Sequence, residues 1–364
     1  MTSEKTKPAV PLKSVLVIGG CGFLGHHVVK ILQEYHPETN ISVLDLHTNI
    51  NRFPGVTYYD GDITSRASVD SVLEKEKPET VIDTVSPVHG LGKEVYFKVN
   101  VEGSRICLEA SRDAGVKAFV WTSSASVLFD GEHDVINLNE KAPIPQKALD
   151  PYTETKAIGE KMVLEANREG GMLTCALRLS GLFGEGDRQL LSGMLQVLAN
   201  GQTKFQIGDN TNLFDFTYIG NSAYAHILAA ERLIAIDSST MSKTEYTVDG
   251  EAFIITNGEP VYFWDFPRAV WALRHHYPSY YIKMPREVGV ALAGAAEAFA
   301  WLMRKEPGFT RFRVKFSCWN RYFDIRKAKN LLGYKPIWSL QEGLVKSLQW
   351  LEEEEQNQAA KKGQ

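Results

Sequence analysis

The sequence predicts an α/β fold, a doubly wound parallel sheet with helices on both faces, followed by a smaller mixed C-terminal lobe. Three observations carry that expectation. Apolar runs of strand length alternate with helix-period segments from residue 14 onward, a glycine-rich turn joins the first such pair, and past Gly184 the rhythm loosens into Gly- and Asn-containing turns. The 364 residues are 44% hydrophobic and 23% charged, ample for a full core and two lobes in one body.

Strands are expected at 14–18, 41–46, 56–59, 80–84, 118–122 and 173–179. Between them, 24–34, 65–76, 96–114 and 153–167 carry apolar residues at three and four spacing with few breakers, as connecting helices should. Further on, a helix is expected near 190–198, a strand near 204–207 and a helix near 221–233. The division this implies is an extension at 1–13, a Rossmann-type domain at 14–186 to which segments around 212–260 return, a lobe mainly over 187–345, and a polar tail at 346–364.

A net charge of −4 lacks the basic excess that a phosphate backbone demands, which argues against a nucleic-acid partner. Cys21, Cys107, Cys175 and Cys318 are far apart and show no paired ligand spacing, so reduced thiols are expected, with no disulfide and no metal. The first thirteen residues hold no apolar run of signal-peptide length, which favours a cytosol-facing protein. The most apolar stretch, 288–303, contains Glu297 and falls short of the ~20 residues needed to cross a bilayer. Arg286, Arg304 and Lys305 flank it and Trp301 lies near its end, so it reads equally as a packed helix or an element lying on a membrane.

Gly19-Gly20-Cys21-Gly22-Phe23-Leu24-Gly25 follows the first strand and opens a helix. Gly19, Gly22 and Gly25 then serve a tight turn, close backbone approach to a pyrophosphate and close helix–sheet packing, with the helix N-terminus facing the phosphates. Asp45 closes the second strand twenty residues beyond Gly25, where a carboxylate accepts hydrogen bonds from an adenosine ribose and repels a 2′-phosphate. NAD is therefore expected, with NADP as the alternative; the plain reading of Asp45 is a strand-end turn residue. Asp62 and Ile63 resemble the Asp–hydrophobic pair that flanks adenine in dinucleotide-binding domains; the plain reading is a cap on the helix starting at Ser65. Thr84 to Pro87, Ser86 among them, should pass under the nicotinamide ribose. Asn100 lies in the next helix, as a site residue or as a bridge between backbone groups.

Tyr152 and Lys156 stand four apart in a helical stretch and so share one face. An unperturbed phenol ionises near pH 10, too high for a base at neutral pH, and an adjacent ammonium and a positive nicotinamide both favour the phenolate. That pair points to proton removal from an alcohol. Trp121-Thr-Ser-Ser-Ala-Ser126 ends the fifth strand at the carboxyl edge of the sheet, where such folds bind ligands. Ser124 is the first choice to orient the substrate hydroxyl and Ser123 the second, since alternation sends the two to opposite faces. His89, His26, His27, His275 and His276 read as neutral bystanders without the remaining ligands of a metal site.

Together these elements resemble the extended short-chain dehydrogenases/reductases, and among them the 3β-hydroxysteroid dehydrogenase family. The similarity continues through Ala176–Arg188, Phe205–Asn210, Asp215–Asn221 and Phe253–Trp264, and is strongest to its fungal, decarboxylating branch. The resemblance implies NAD-dependent oxidation of the 3β-hydroxyl of a 4α-carboxysterol to the ketone with loss of carbon dioxide, in the C4-demethylation branch of ergosterol synthesis. It further implies a peripheral protein on the cytosolic face of the endoplasmic reticulum, with cytosol as the alternative, contact with other C4-demethylation enzymes, and admits a homodimer. Arg188 or Lys204 is a candidate for the carboxylate. Three positions depart from the family pattern: Arg178 is followed by Leu179 instead of proline, Asp83 stands where relatives often have histidine, and Val85 replaces a small residue. They leave open a diverged enzyme acting on another sterol or a triterpenoid, and the scaffold alone also admits a nucleotide-sugar epimerase or dehydratase.

Overall fold

The computed structural model describes residues 10–88, 90–236, 247–304 and 309–362. Its main layer is a parallel sheet of seven strands: β1 (Ser14–Ile18), β2 (Asn40–Asp45), β3 (Thr57–Asp60), β4 (Thr80–Asp83), β5 (Ala118–Ser124), β6 (Leu173–Leu179) and β7 (Glu251–Ile255). Their order is β7-β6-β5-β4-β1-β2-β3, so the chain leaves β1 on one side and resumes on the other at β4. The crevice at that reversal is where ligands bind in such sheets.

Alternation along β1 divides the core in two. Val15 and Val17 pack with Val28 and Leu32 of the helix Phe23–Tyr35 and with Ile227 of the helix Ile219–Ile234. Leu16 and Ile18 pack on the opposite face with Val69, Leu108 and Val163, from the helices Arg66–Glu76, Ser104–Asp113 and Pro151–Glu165. Burial on both faces is why these strands read as continuous apolar runs.

The expected helix at 96–114 begins earlier, at Lys93, and passes through a π-helical segment, Phe97–Gly103, before Ser104–Asp113. Leu46 and Thr84 fall just outside their strands, although the Thr84 amide still donates to the Ile18 carbonyl at 2.9 Å. The strand Glu251–Ile255, which pairs in parallel with β6, has no counterpart among the strands expected from the sequence.

Val135–Leu138, Leu213–Phe214, Val261–Tyr262 and Arg321–Phe323 build a second sheet of four strands. An aromatic core underlies it: Phe216 stacks on Phe266 at 4.0 Å, and Phe214, Phe263 and Phe316 close around them. Residues 346–362, read as a polar tail, continue the helix Leu340–Lys362, whose Leu344 and Leu348 are buried and whose Glu355 pairs with Arg274 at 3.0 Å. Among the described residues no helix is long and apolar enough to cross a membrane.

Candidate active site

The glycine turn closes on itself through backbone contact. Gly19 sits at φ +79°, in the left-handed region. A Cβ on Gly25 would lie 2.1 Å from the Gly19 carbonyl oxygen, so only glycine lets the helix start against the strand end. Gly22 caps the helix Phe23–Tyr35 without any side-chain hydrogen bond, leaving its first amides directed outward, the arrangement that receives a phosphate. Phe23 and Leu24 form the first turn, with Leu24 buried. Asp45 turns back onto the same loop, its Oδ2 accepting from the Cys21 amide at 2.9 Å, and Asn51 donates to the Cys21 carbonyl at 2.8 Å. Asn51 was invisible to sequence reading because it lies outside every motif.

Asp62 is held in its own turn, accepting from the Thr64 amide and hydroxyl at 2.8 Å each; those bonds hold its carboxyl below the usual range. It is not the helix cap: Ser65 is, with its side chain accepting from the Ser68 amide. Ile63 is buried and approaches Gly103, where a Cβ would meet it at 2.7 Å. The Thr84 hydroxyl donates to the Ile18 carbonyl at 2.8 Å and ties the end of β4 to the glycine turn. Asn100, buried in the π-helical segment, donates to the Thr155 hydroxyl at 3.1 Å, joining its helix to the one that carries Tyr152.

That helix, Pro151–Glu165, is capped by Asp150, which accepts from the Thr153 amide at 2.7 Å, with Pro151 at the first position. Tyr152 follows immediately, and its phenol hydrogen-bonds Ser124 and Ser86. Burial pushes the phenol up to about 12, against the lowering effect of those two hydroxyls. Tyr96 packs edge-on to it at 5.8 Å, a neighbour that no sequence signal announced. Lys156 is buried one turn on; its ammonium donates to the Thr122 carbonyl at 2.9 Å and lies 4.6 Å over the Trp121 ring. Burial draws its pKa down to about 8, with Asp83 opposing.

The alternation along β5 assigns the serines. Ser124 joins Tyr152 and also lies 2.8 Å from the Ser126 hydroxyl, whereas Ser123 points to the other face and donates to Glu160 at 2.6 Å. Glu160 is locked by Arg178 at 2.6 Å, both buried, so Ser123 belongs to a structural ion pair between the Tyr152 helix and β6. Leu179 continues β6 in register with Ser124 and Ile255, keeping the strand amide that proline would lack. Asp83 is 1% exposed; its Oδ1 accepts from the Val85 amide at 3.0 Å while Lys156 reaches the Val85 carbonyl at 3.5 Å.

The other candidates make contacts of their own or face solvent. Arg188 is exposed, and Lys204 sits 4.7 Å over the Tyr280 ring. His27 bonds the Glu185 carbonyl at 2.8 Å, His26 stacks on Phe53 at 4.5 Å, and His276 meets the Thr203 hydroxyl at 2.7 Å. His89 and Lys305 lie outside the described residues. Among those described, no group of three His, Cys, Asp or Glu side chains is placed to hold a metal.

A glycine turn at the sheet reversal and a Tyr–Ser–Lys cluster at the carboxyl edge therefore share one crevice. A model of the 3-beta hydroxysteroid dehydrogenase/isomerase family matches residues 16–286. The chain belongs to that family. It is 50% identical over 352 residues to the decarboxylating sterol-4-alpha-carboxylate 3-dehydrogenase of Schizosaccharomyces pombe, covering 96% of this chain and 100% of that one. The Saccharomyces cerevisiae protein of the same name is 42% identical, with 94% and 99% covered, and the human one 35%, with 93% and 88% covered. Among solved structures, the Thermus thermophilus UDP-glucose 4-epimerase complex with NAD superimposes with a TM-score of 0.68 at 21% identity, covering 93% of this chain and 98% of that one. The Bacillus anthracis dTDP-glucose 4,6-dehydratase in complex with NAD gives 0.70 at 16%, covering 94% and 98%. At such identities these family-distant proteins share the doubly wound fold.

Proposed function

We propose that this chain oxidises the 3β-hydroxyl of a 4α-carboxysterol to the ketone with loss of carbon dioxide, using NAD. The observation that carries the reading is the 50% identity over a full-length relative named for that reaction, in a chain whose Tyr152 and Ser124 meet in hydrogen-bond contact. The glycine turn and the open first helix end would hold the pyrophosphate, and Asp45 the adenosine ribose, whose carboxylate disfavours a 2′-phosphate. When bound, oxidised nicotinamide accepts the hydride from C3 and adds a positive charge that favours the phenolate.

Ser124 and Tyr152 would share the substrate hydroxyl, Ser124 orienting it and Tyr152 taking its proton. Lys156, fixed on the Thr122 carbonyl, sets the charge of that corner. The product is a β-keto acid. Its C4–carboxylate bond breaks with the electron pair passing to the C3 carbonyl oxygen; carbon dioxide leaves, and the enolate takes a proton at C4. No further catalytic group is demanded by that step.

The same reading puts the chain on the cytosolic face of the endoplasmic reticulum membrane. Its support is the helix Arg286–Leu302, which leaves Phe299 65%, Trp301 81% and Leu302 70% exposed between the cationic side chains Arg286 and Arg304.

The deciding experiment is NAD reduction with a 4α-carboxysterol, a plain 3β-hydroxysteroid and a UDP-sugar, each followed by mass spectrometry of the product. Loss of the carboxylate mass together with NADH formation is expected with the first substrate. Turnover confined to the sugar nucleotide would overturn the reading.

A further inference from the structure

Arg321, the first residue of the strand Arg321–Phe323, is a buried cation with no hydrogen-bonding partner for its side chain among the described residues. It is 5% exposed, and its guanidinium carbon lies 4.6 Å from the Phe129 ring, 4.9 Å from Phe316 and 5.3 Å from Phe214. Among the described residues its side chain makes no ion pair and donates no hydrogen bond, and Nε is sealed from solvent with no acceptor. The aromatic faces attract the charge, by roughly 0.5–2 kcal/mol each. They do not satisfy the five N–H donors of a guanidinium, and a buried unpaired charge is costly. The other buried cations near the site each have an acceptor: Lys156 donates to the Thr122 carbonyl, and on the opposite face of the strand Arg178, although its Nη1 is unpartnered, is paired with Glu160.

The position of Arg321 gives the missing partner a location. Phe129 donates its amide to the Ser126 carbonyl, and the Ser126 hydroxyl touches Ser124. The charge that acts on Arg321 is that of Asp150, the cap of the helix that begins at Pro151 and Tyr152. Burial brings the guanidinium down to about 10, against Asp150, so it stays charged at neutral pH. The arginine thus adjoins the two segments that deliver Ser124 and Tyr152, and it comes from the separate sheet of four strands.

We infer that Arg321 is the receptor for the 4α-carboxylate of the substrate, an assignment that rests on the function proposed above. The carboxylate is attached to the carbon next to the one bearing the reacting hydroxyl, so its receptor must lie within one side chain's reach of Tyr152 and Ser124. A planar guanidinium with free donors in an aromatic enclosure is suited to a carboxylate on an apolar ring system. Arg321 is accordingly a specificity-determining residue: it selects the acid over an otherwise identical neutral sterol, while Tyr152 and Ser124 act on either.

The test compares the full-length chain with its Arg321→Met and Arg321→Lys variants, following NADH with a 4α-carboxysterol and with its methyl ester, which can be oxidised but carries no charge. The parent should prefer the acid by about ten- to hundredfold in kcat/KM, the range that one charge-assisted contact supplies. The Met variant should lose that preference through a higher KM for the acid, with the KM of the ester unchanged within threefold and any change in kcat, from loss of the charge facing Asp150, shared by both substrates; the Lys variant should fall between. Equal losses on acid and ester would mark Arg321 as structural and overturn the assignment. So would a parent enzyme that oxidises the acid but does not prefer it to the ester, a result that needs no variant to fold. A parent that oxidises no carboxysterol at all would instead sink the proposed function, and this assignment with it.

Discussion

Asp83→Asn should make the protein more stable, and increasingly so as pH rises. Asp83 is sealed at the end of β4; one oxygen accepts the Val85 amide at 3.0 Å and the other has no partner. Burial pushes its pKa from 3.8 up to about 6, with the Val85 amide and the Lys156 charge opposing. The folded chain therefore binds more protons than the unfolded one between those two values, and stability is lost as pH climbs through that window. Integrating the difference gives a destabilisation of roughly 1 kcal/mol at pH 4.5 and roughly 3 kcal/mol at pH 7.5. The attraction of Lys156 is already contained in that figure, because it acts on the same Asp83 value. Asparagine keeps the Val85 contact and removes the buried charge, so urea unfolding should show the variant ahead by those amounts at the two pH values. Lys156 meanwhile loses the neighbour that opposes its fall to about 8, so the alkaline limb of kcat should move to lower pH. A variant equal to or weaker than the parent at pH 7.5, or an advantage that does not change with pH, would refute the reasoning.

Other expectations follow from the same geometry. Tyr152→Phe should cut turnover by at least about a thousandfold while NAD still binds with nearly its normal Kd, read by fluorescence quenching. Gly25→Ala places a methyl 2.1 Å from a backbone oxygen and should weaken NAD binding by a hundredfold or more, on the order of 3 kcal/mol, in the same titration. Ser124→Ala should lower kcat by about ten- to a hundredfold, whereas Ser123→Ala should leave kcat nearly intact and lower the melting temperature, because its hydroxyl serves Glu160. Replacing Phe299 and Trp301 together by serine should reduce sedimentation with anionic phospholipid vesicles without altering kcat on detergent-dispersed substrate.

The main sheet was legible because its strands are buried on both faces and connect through amphipathic helices, so period and length alone locate them. The small lobe was not, since strands such as Leu213–Phe214 and Val261–Tyr262 are two residues long and carry no period. At the site, Tyr152 and Lys156 could be paired from spacing because one helix carries both. Ser123 and Ser124 could not be separated, since both meet that helix, Ser123 at Glu160 and Ser124 at Tyr152, and alternation alone does not say which lies beside the phenol. Arg321 was beyond reach for a different reason. Its meaning comes from Phe129 and Asp150, brought beside it from the other half of the chain.

The electrostatics of the cluster constrain when Tyr152 can act as a base. With its phenol at about 12, full ionisation at pH 7.5 would cost roughly 6 kcal/mol. Ser124 and Ser86 already contribute within that value, and Asp150 works against ionisation from the cap of the same helix. The balance must therefore come from positive charge placed beside the phenol, which on the proposed reading accompanies the oxidised cofactor, so the base forms only where an acceptor for the hydride is also present. Arg321 bears on the same balance, because the Asp150 charge that raises the phenol is the one that acts on the guanidinium. A carboxylate received by Arg321 adds a second negative charge near Asp150 and offsets the cation that faces it. Substrate recognition and the basicity of Tyr152 are then coupled through Asp150, and a neutral ester tests the receptor without adding that charge.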